Sequence, residues 1–172
     1  MDHISDFCVI SALYIQNRGK VRHSFYRQFF DHSTILAPIN FLMYIFSKVP
    51  NQPYIDTQHF KDLKVFDENW EMIRDEAKAL YAQGGIKASS TYNDLGFNSF
   101  FKTGWKRFYL KWYDSAHPSA AELCPKTTAL LKTLPTIKAA MFTELAPHSR
   151  LVRHRDPYAG SLRYHCLLYT SD

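Results

Sequence analysis

The spacing of apolar residues changes period along this chain, and that change limits the folds open to it. Over residues 60–81, Phe66, Trp70, Ile73, Ala77 and Leu80 recur at three and four positions, with Asp67, Glu68, Glu71 and Asp75 outside the stripe. This is the pattern of an amphipathic helix, and Gln83-Gly84-Gly85 is its stop signal. Residues 125–134 predict a further helix that begins at Cys124-Pro125 and is followed by Pro135. Beyond Pro135 the period falls to two. Residues 137–145, 150–154 and 161–169 predict three successive strands, the last two joined by Arg155-Asp156-Pro157-Tyr158-Ala159-Gly160. Residues 98–112 mix aromatics with Lys102, Lys106, Arg107 and Lys111, and read as strands or a short hairpin. The expected order is a helical front and a β-rich back that stops abruptly, with no repeat and no low-complexity segment.

At 172 residues, 46% hydrophobic and 22% charged, the chain has the balance of one folded domain and not of a disordered segment. Cys8, Cys124 and Cys166 form no close pair, which excludes a disulfide scaffold and a CxxC site and points to a reducing compartment. A net charge of +5 and a pI near 9.1 favour anionic partners. Mean hydropathy of -0.31 argues against a polytopic membrane protein, and no run reaches the roughly 20 apolar residues that span a bilayer. No basic stretch precedes the apolar run 8–15, so a signal peptide is a poor reading. A second uncharged run, 33–47, is interrupted early by Pro38, and Arg18, Lys20, Arg22, His23 and Arg27 lie between the two. Apolar, basic, apolar is the pattern of an interfacial anchor facing anionic headgroups. It is equally the pattern of two amphipathic core helices joined by a solvated basic loop. Val49-Pro50-Asn51-Gln52-Pro53 is the best punctuation and divides residues 1–50 from residues 51–172.

Chemistry concentrates near the end of the chain. His154-Arg155-Asp156 places an imidazole and a carboxylate two residues apart, two members of the two-His-one-carboxylate facial triad of non-haem Fe(II) oxygenases. With 8 His and 16 acidic residues, about one such triplet is expected by chance, so an ion-paired surface turn is the competing reading. In Ser161-Leu-Arg163-Tyr-His165, alternation would put Arg163 and His165 on one strand face, where a guanidinium fork could bind a carboxylate. An exposed polar edge is the alternative. Lys102, Trp105, Lys106, Arg107, Phe108, Lys111 and Trp112 interleave bases and aromatics as single-stranded nucleic-acid binders do, or as a core strand pair with solvated lysines does. The second reading is preferred, and no nucleic-acid partner is expected.

The block Val152-Arg-His154-Arg-Asp156-Pro-Tyr-Ala-Gly-Ser-Leu-Arg163-Tyr-His165 resembles the first metal motif of the aspartyl/asparaginyl β-hydroxylase family. Pro125-Lys-Thr-Thr-Ala-Leu-Leu131 is similar to that family's upstream helix, and Trp105-Lys-Arg-Phe108-Tyr-Leu110 to the strand before it. Arg18-Gly-Lys-Val-Arg-His-Ser-Phe25, Asp31-His-Ser-Thr34, Ala37-Pro-Ile-Asn40 and the stretch 97–112 resemble the bacterial lipid A hydroxylase branch. The likeness runs from about Ser11 to His165.

This resemblance implies a mainly β chain with an α-helical N-terminal part, built as a double-stranded β-helix, the cupin-type jelly roll. It implies Fe(II), 2-oxoglutarate as co-substrate and O2, used to hydroxylate an unactivated C–H bond. His154 and Asp156 would be metal ligands. The aspartate stands where animal protein hydroxylases of the family carry glycine, which points to the bacterial branch. Arg163 and His165 match residues beside the 2-oxoglutarate carboxylates, and Thr143 matches a hydroxyl that helps hold the distal one. The implied substrate is an acyl chain of lipid A or a similar acylated phosphosaccharide, with Arg18, Lys20, Arg22 and Arg27 meeting phosphates. The place of action would be an anionic membrane surface, the cytoplasmic face of a bacterial inner membrane. Residues 1–50 would form the membrane-associated segment and residues 51–172 the N-terminal part of the oxygenase domain. The family's distal metal-binding His and a further arginine are expected after Asp172, so the sequence reads as a fragment whose jelly roll is partial and which turns over no co-substrate by itself. The alternatives are hydroxylation of aspartyl or asparaginyl side chains in proteins, and a non-catalytic basic/aromatic binding module.

Overall fold

The computed structural model describes residues 3–18, 24–50, 52, 54–85, 105–113, 115–150 and 156–169. The chain divides into two compact units, Met1–His59 with Arg153–His165, and Phe60–Val152 with Cys166–Asp172.

Helices α1 (His3–Arg18), α2 (Phe25–Phe30), α3 (His32–Ile35) and α4 (Ala37–Phe46) build the first unit. The two apolar runs lie on α1 and α4, which pack together through rings. Phe41 meets Phe7 and Tyr14 edge-on, at centroid distances of 5.7 and 5.1 Å, and the Arg18 guanidinium sits 3.7 Å from the centroid of the Tyr44 ring. Ser11 is buried, and its hydroxyl donates to the Cys8 carbonyl at 2.9 Å. The run 33–47 is two helices because Pro38 has no N–H to carry the ladder through Leu36. In the first turn of α4 that missing donor costs nothing. Asp31 starts α3, its Oδ1 accepting from the Ser33 N–H at 3.0 Å and from the Ser33 hydroxyl.

The second unit sets α5 (Lys64–Ala82) with two short helices, α6 (Pro118–Leu123) and α7 (Pro125–Lys132), around the strands β1 (Trp105–Trp112), β2 (Ser115–Ala116) and β3 (Ala139–Leu145). The sheet order is β2-β1-β3, antiparallel throughout. Phe108 faces Phe142 across β1 and β3, and a bulge between Tyr109 and Lys111 shifts the register. The core is Ile73, Leu80, Leu110, Ala120, Cys124, Leu131 and Phe142. Helix α5 is the amphipathic helix expected over 60–81, preceded by a 3-10 turn at Lys61–Leu63. Its stripe differs in one member: Trp70 is 40% exposed with Arg74 stacked on it at 4.7 Å, and Met72 packs on the core instead. Gly84 ends the helix at φ +68°, with its N–H on the Tyr81 carbonyl and the Gly85 N–H on the Leu80 carbonyl, the Schellman arrangement. Helix α7 begins at Pro125 and β3 fills most of 137–145, as expected.

Two expectations are corrected. Among the described residues helix far exceeds strand, so the mainly β reading does not hold for them; strand is confined to the three-stranded sheet. The strand expected over 161–169 is not formed: residues 156–169 carry turns and irregular backbone. Alternation stabilises a strand only when a neighbour accepts its ladder and covers one face. Here Leu162 and Leu167 are 54% and 80% exposed. Of the strand expected over 150–154, residues 151–154 lie outside the described residues, as do 98–104 of the expected hairpin, while 105–112 form β1.

Candidate functional site

Helix α4 contains no charged residue, and Asn40 is buried within it at 3% exposure. A carboxamide removed from water is costly unless both its ends are bonded. Asn40 meets that demand on the turn that follows the His154-x-Asp156 motif. Its Nδ2 donates to the Pro157 carbonyl at 2.9 Å, and its Oδ1 accepts from the Ala159 N–H at 2.9 Å. The side chain thus pairs with residues 157 and 159 as a neighbouring strand would.

Asp156 lies one residue before this clamp. Its Oδ1 accepts from the Arg163 Nη2 at 2.6 Å, and both side chains are 43% exposed. An ion pair so open to water contributes about 0–1 kcal/mol. Stripping a buried polar group of its partner costs about 1–3 kcal/mol. The two Asn40 bonds therefore hold the turn more firmly than the Asp156–Arg163 pair does.

The structure brings Arg163 to Asp156, the residue expected to bind metal, rather than aligning it with His165 on a strand face. His165 is exposed in irregular backbone. His154 lies outside the described residues, as do Lys20 and Arg22. Thr143 belongs to the second unit, exposed on β3 and opposite Arg107 in the register. Arg18 is stacked on Tyr44, and Arg27 is exposed in the last turn of α2. The chemistry of the sequence does not single out Asn40, although one signal points to it: a polar amide in an apolar, uncharged run must find partners.

As donors, the His154 imidazole and the Asp156 carboxylate fit a non-haem iron site, and Asp156 is open enough for an ion to reach. Among the described residues no group of three His, Cys, Asp or Glu side chains is gathered.

Two other surfaces bear on function. The bases of β1 are built into the sheet: Lys106 Nζ lies 3.3 Å from both Glu144 oxygens, and Arg107 and Lys111 are buried. For these residues that is the arrangement of a core strand pair. On α1 and α4, by contrast, large apolar side chains face outward, including Ile4, Ile10 and Leu13 on α1 and Leu42, Ile45 and Phe46 on α4. No helix among the described residues is long and apolar enough to cross a membrane.

Comparison with known proteins follows the same residues. The chain is 30% identical over 124 residues to an ornithine lipid ester-linked acyl 2-hydroxylase of Rhizobium tropici, an alignment that takes in 70% of this chain and 43% of the relative. It therefore spans less than half the length of that relative. No solved structure matches. The model of the family described as aspartyl/asparaginyl beta-hydroxylase matches residues 67–172, from α5 through the motif at 154–165, and the chain belongs to that family.

Proposed function

We propose that this chain carries the metal motif of an Fe(II)/2-oxoglutarate-dependent hydroxylase that acts on an acyl chain of a polar lipid. The observation that carries the reading is the Asp156–Arg163 pair beside the Asn40-held turn, a metal-type carboxylate with a carboxylate-binding cation at 2.6 Å. His154 and Asp156 would hold the iron, and Arg163 and His165 would orient the co-substrate. When bound, the metal supplies O2 activation; one oxygen atom enters the substrate C–H bond and the other enters the succinate formed as 2-oxoglutarate loses CO2. The protein scaffold for this chemistry would be the double-stranded β-helix, with the antiparallel β1–β3 pair as part of it.

The substrate class is supported by the name of the Rhizobium tropici relative, a lipid acyl hydroxylase, and by the aspartate at position 156. Lipid A is the finer reading, with phosphates meeting Arg18, Lys20, Arg22 and Arg27; an ornithine lipid is its competitor within the same class. The outward apolar side chains of α1 and α4 support docking on an anionic membrane surface, at the cytoplasmic face of a bacterial inner membrane. Expressing the chain joined to the part of the Rhizobium tropici relative that follows the matched region, and separately the Asp156→Ala form of that fusion, in a bacterium that makes both lipids tests the reading by mass spectrometry. One added oxygen in an acyl chain that Asp156→Ala abolishes supports it, and the modified lipid names the substrate. Unchanged lipids would overturn it, and added oxygen on protein aspartyl or asparaginyl residues would put the family's other activity in its place.

A further inference from the structure

We propose that Asn40 is a positioning residue for the metal turn, holding Asp156 in place from helix α4 before any ion arrives. The inference rests on the proposed iron site and adds to it a residue far from the motif in sequence.

Three observations carry it. Asn40 is 3% exposed in a helix that otherwise has little use for an amide, and both ends of that amide are spent on one turn. The turn chosen is the one that carries Asp156: the bonds fall on the Pro157 carbonyl, one residue on, and on the Ala159 N–H, three residues on. Pro157 has no N–H, so its carbonyl is the one backbone group it can offer a clamp. The Asp156–Arg163 ion pair, by contrast, is half-exposed, so water and salt weaken it. Metal ligands must be held within about 0.5 Å of their working positions, and groups that fix a ligand from behind change metal affinity by roughly 10–100-fold. No smaller or apolar residue could replace Asn40 here: alanine and leucine remove both bonds, and serine cannot reach both residues at once.

The test is Mn(II) binding to the full chain, followed by electron paramagnetic resonance, with hydrogen exchange read at the Ala159 amide. Two variants remove the clamp differently. Asn40→Ala opens a space, whereas Asn40→Leu keeps the branched shape and suits an apolar helix, so the two variants remove the amide with opposite effects on packing. Phe41→Ala is the control, since it loosens the α1–α4 ring contacts on the same helix without touching the turn. The expected result is loss of Ala159 protection and Mn(II) affinity weaker by about tenfold or more in both Asn40 variants. Phe41→Ala should stay within about twofold. Wild-type affinity in the Asn40 variants, or equal weakening by Phe41→Ala, would overturn the assignment. If wild-type Mn(II) binding is absent or indifferent to Asp156→Ala, it is the iron site itself that has failed, and the wild-type titration reports this separately.

Discussion

Arg163 has two calls on it: the Asp156 carboxylate that it meets at 2.6 Å, and the co-substrate carboxylate that the proposed function assigns to it. A charge-assisted bond is worth about 1.5–3 kcal/mol, whereas the exposed pair with Asp156 is worth at most about 1. The co-substrate should win. Arg163→Ala is accordingly expected to weaken 2-oxoglutarate binding by roughly tenfold to a hundredfold while changing the melting temperature little. Isothermal titration with Mn(II) present measures the first and calorimetry the second; equal 2-oxoglutarate affinity in wild type and variant would remove Arg163 from the site. A second residue, Cys124, shows what burial does. It is fully enclosed in the core of the second unit, and desolvation, with a smaller contribution from the Glu76 carboxylate, raises its thiol from 9.0 to about 11. Between those values the unfolded chain has lost the proton and the folded chain keeps it, so stability is unaffected below about 9 and falls as pH rises toward 11. Urea midpoints between pH 8 and 11 should show this slope in wild type and a shallower one in Cys124→Ala. A maleimide should label Cys8 and Cys166, which are exposed, well before Cys124.

Among the elements, α7 depends most visibly on a residue from elsewhere. Its first N–H groups have no partners within the helix. Glu76 of α5 supplies them, accepting from the Lys126 N–H at 2.9 Å and the Thr127 N–H at 2.8 Å, so one carboxylate caps a helix that lies 50 residues on in sequence. Glu76→Ala is expected to cost about 1–2 kcal/mol in urea unfolding. Glu76→Gln should recover only part of that, since one amide oxygen can accept where two carboxylate oxygens did. A loss below a few tenths would mean that water replaces the cap. The helical elements were legible because their signals are local: the stripe of α5, the Gly84 stop and the prolines opening α6 and α7 each act within one or two turns. Trp70 departed from the stripe because the guanidinium of Arg74 covers it at the surface. The alternation at 161–169 predicts a strand, but sequence alone does not carry the fact that decides it, whether a neighbouring strand is there to pair.

On the scale of the whole molecule, the exposed apolar side chains of α1 and α4, with basic residues between the two helices in sequence, lead to a prediction about lipid surfaces. With Ile4 and Phe46 exposed at 78% and 77%, these side chains should partition into a headgroup layer, helped by cations. Flotation with anionic vesicles should carry the chain upward, and neutral vesicles should retain it less. Phe46→Glu with Leu13→Glu should abolish flotation while leaving the second unit's core untouched. A wild-type chain that stays at the bottom of the gradient with both lipids would end the membrane reading. What the sequence determined by itself was whatever depends on near neighbours: the helices, their caps and stops, the family motif and the identity of its donors. Tertiary structure decided which distant groups met. It put Asn40 on the Pro157–Ala159 turn, Glu76 under α7 and Arg163 on Asp156. The reason is physical: a buried polar group must be satisfied, but nothing in its local sequence says which remote partner the packed chain will deliver.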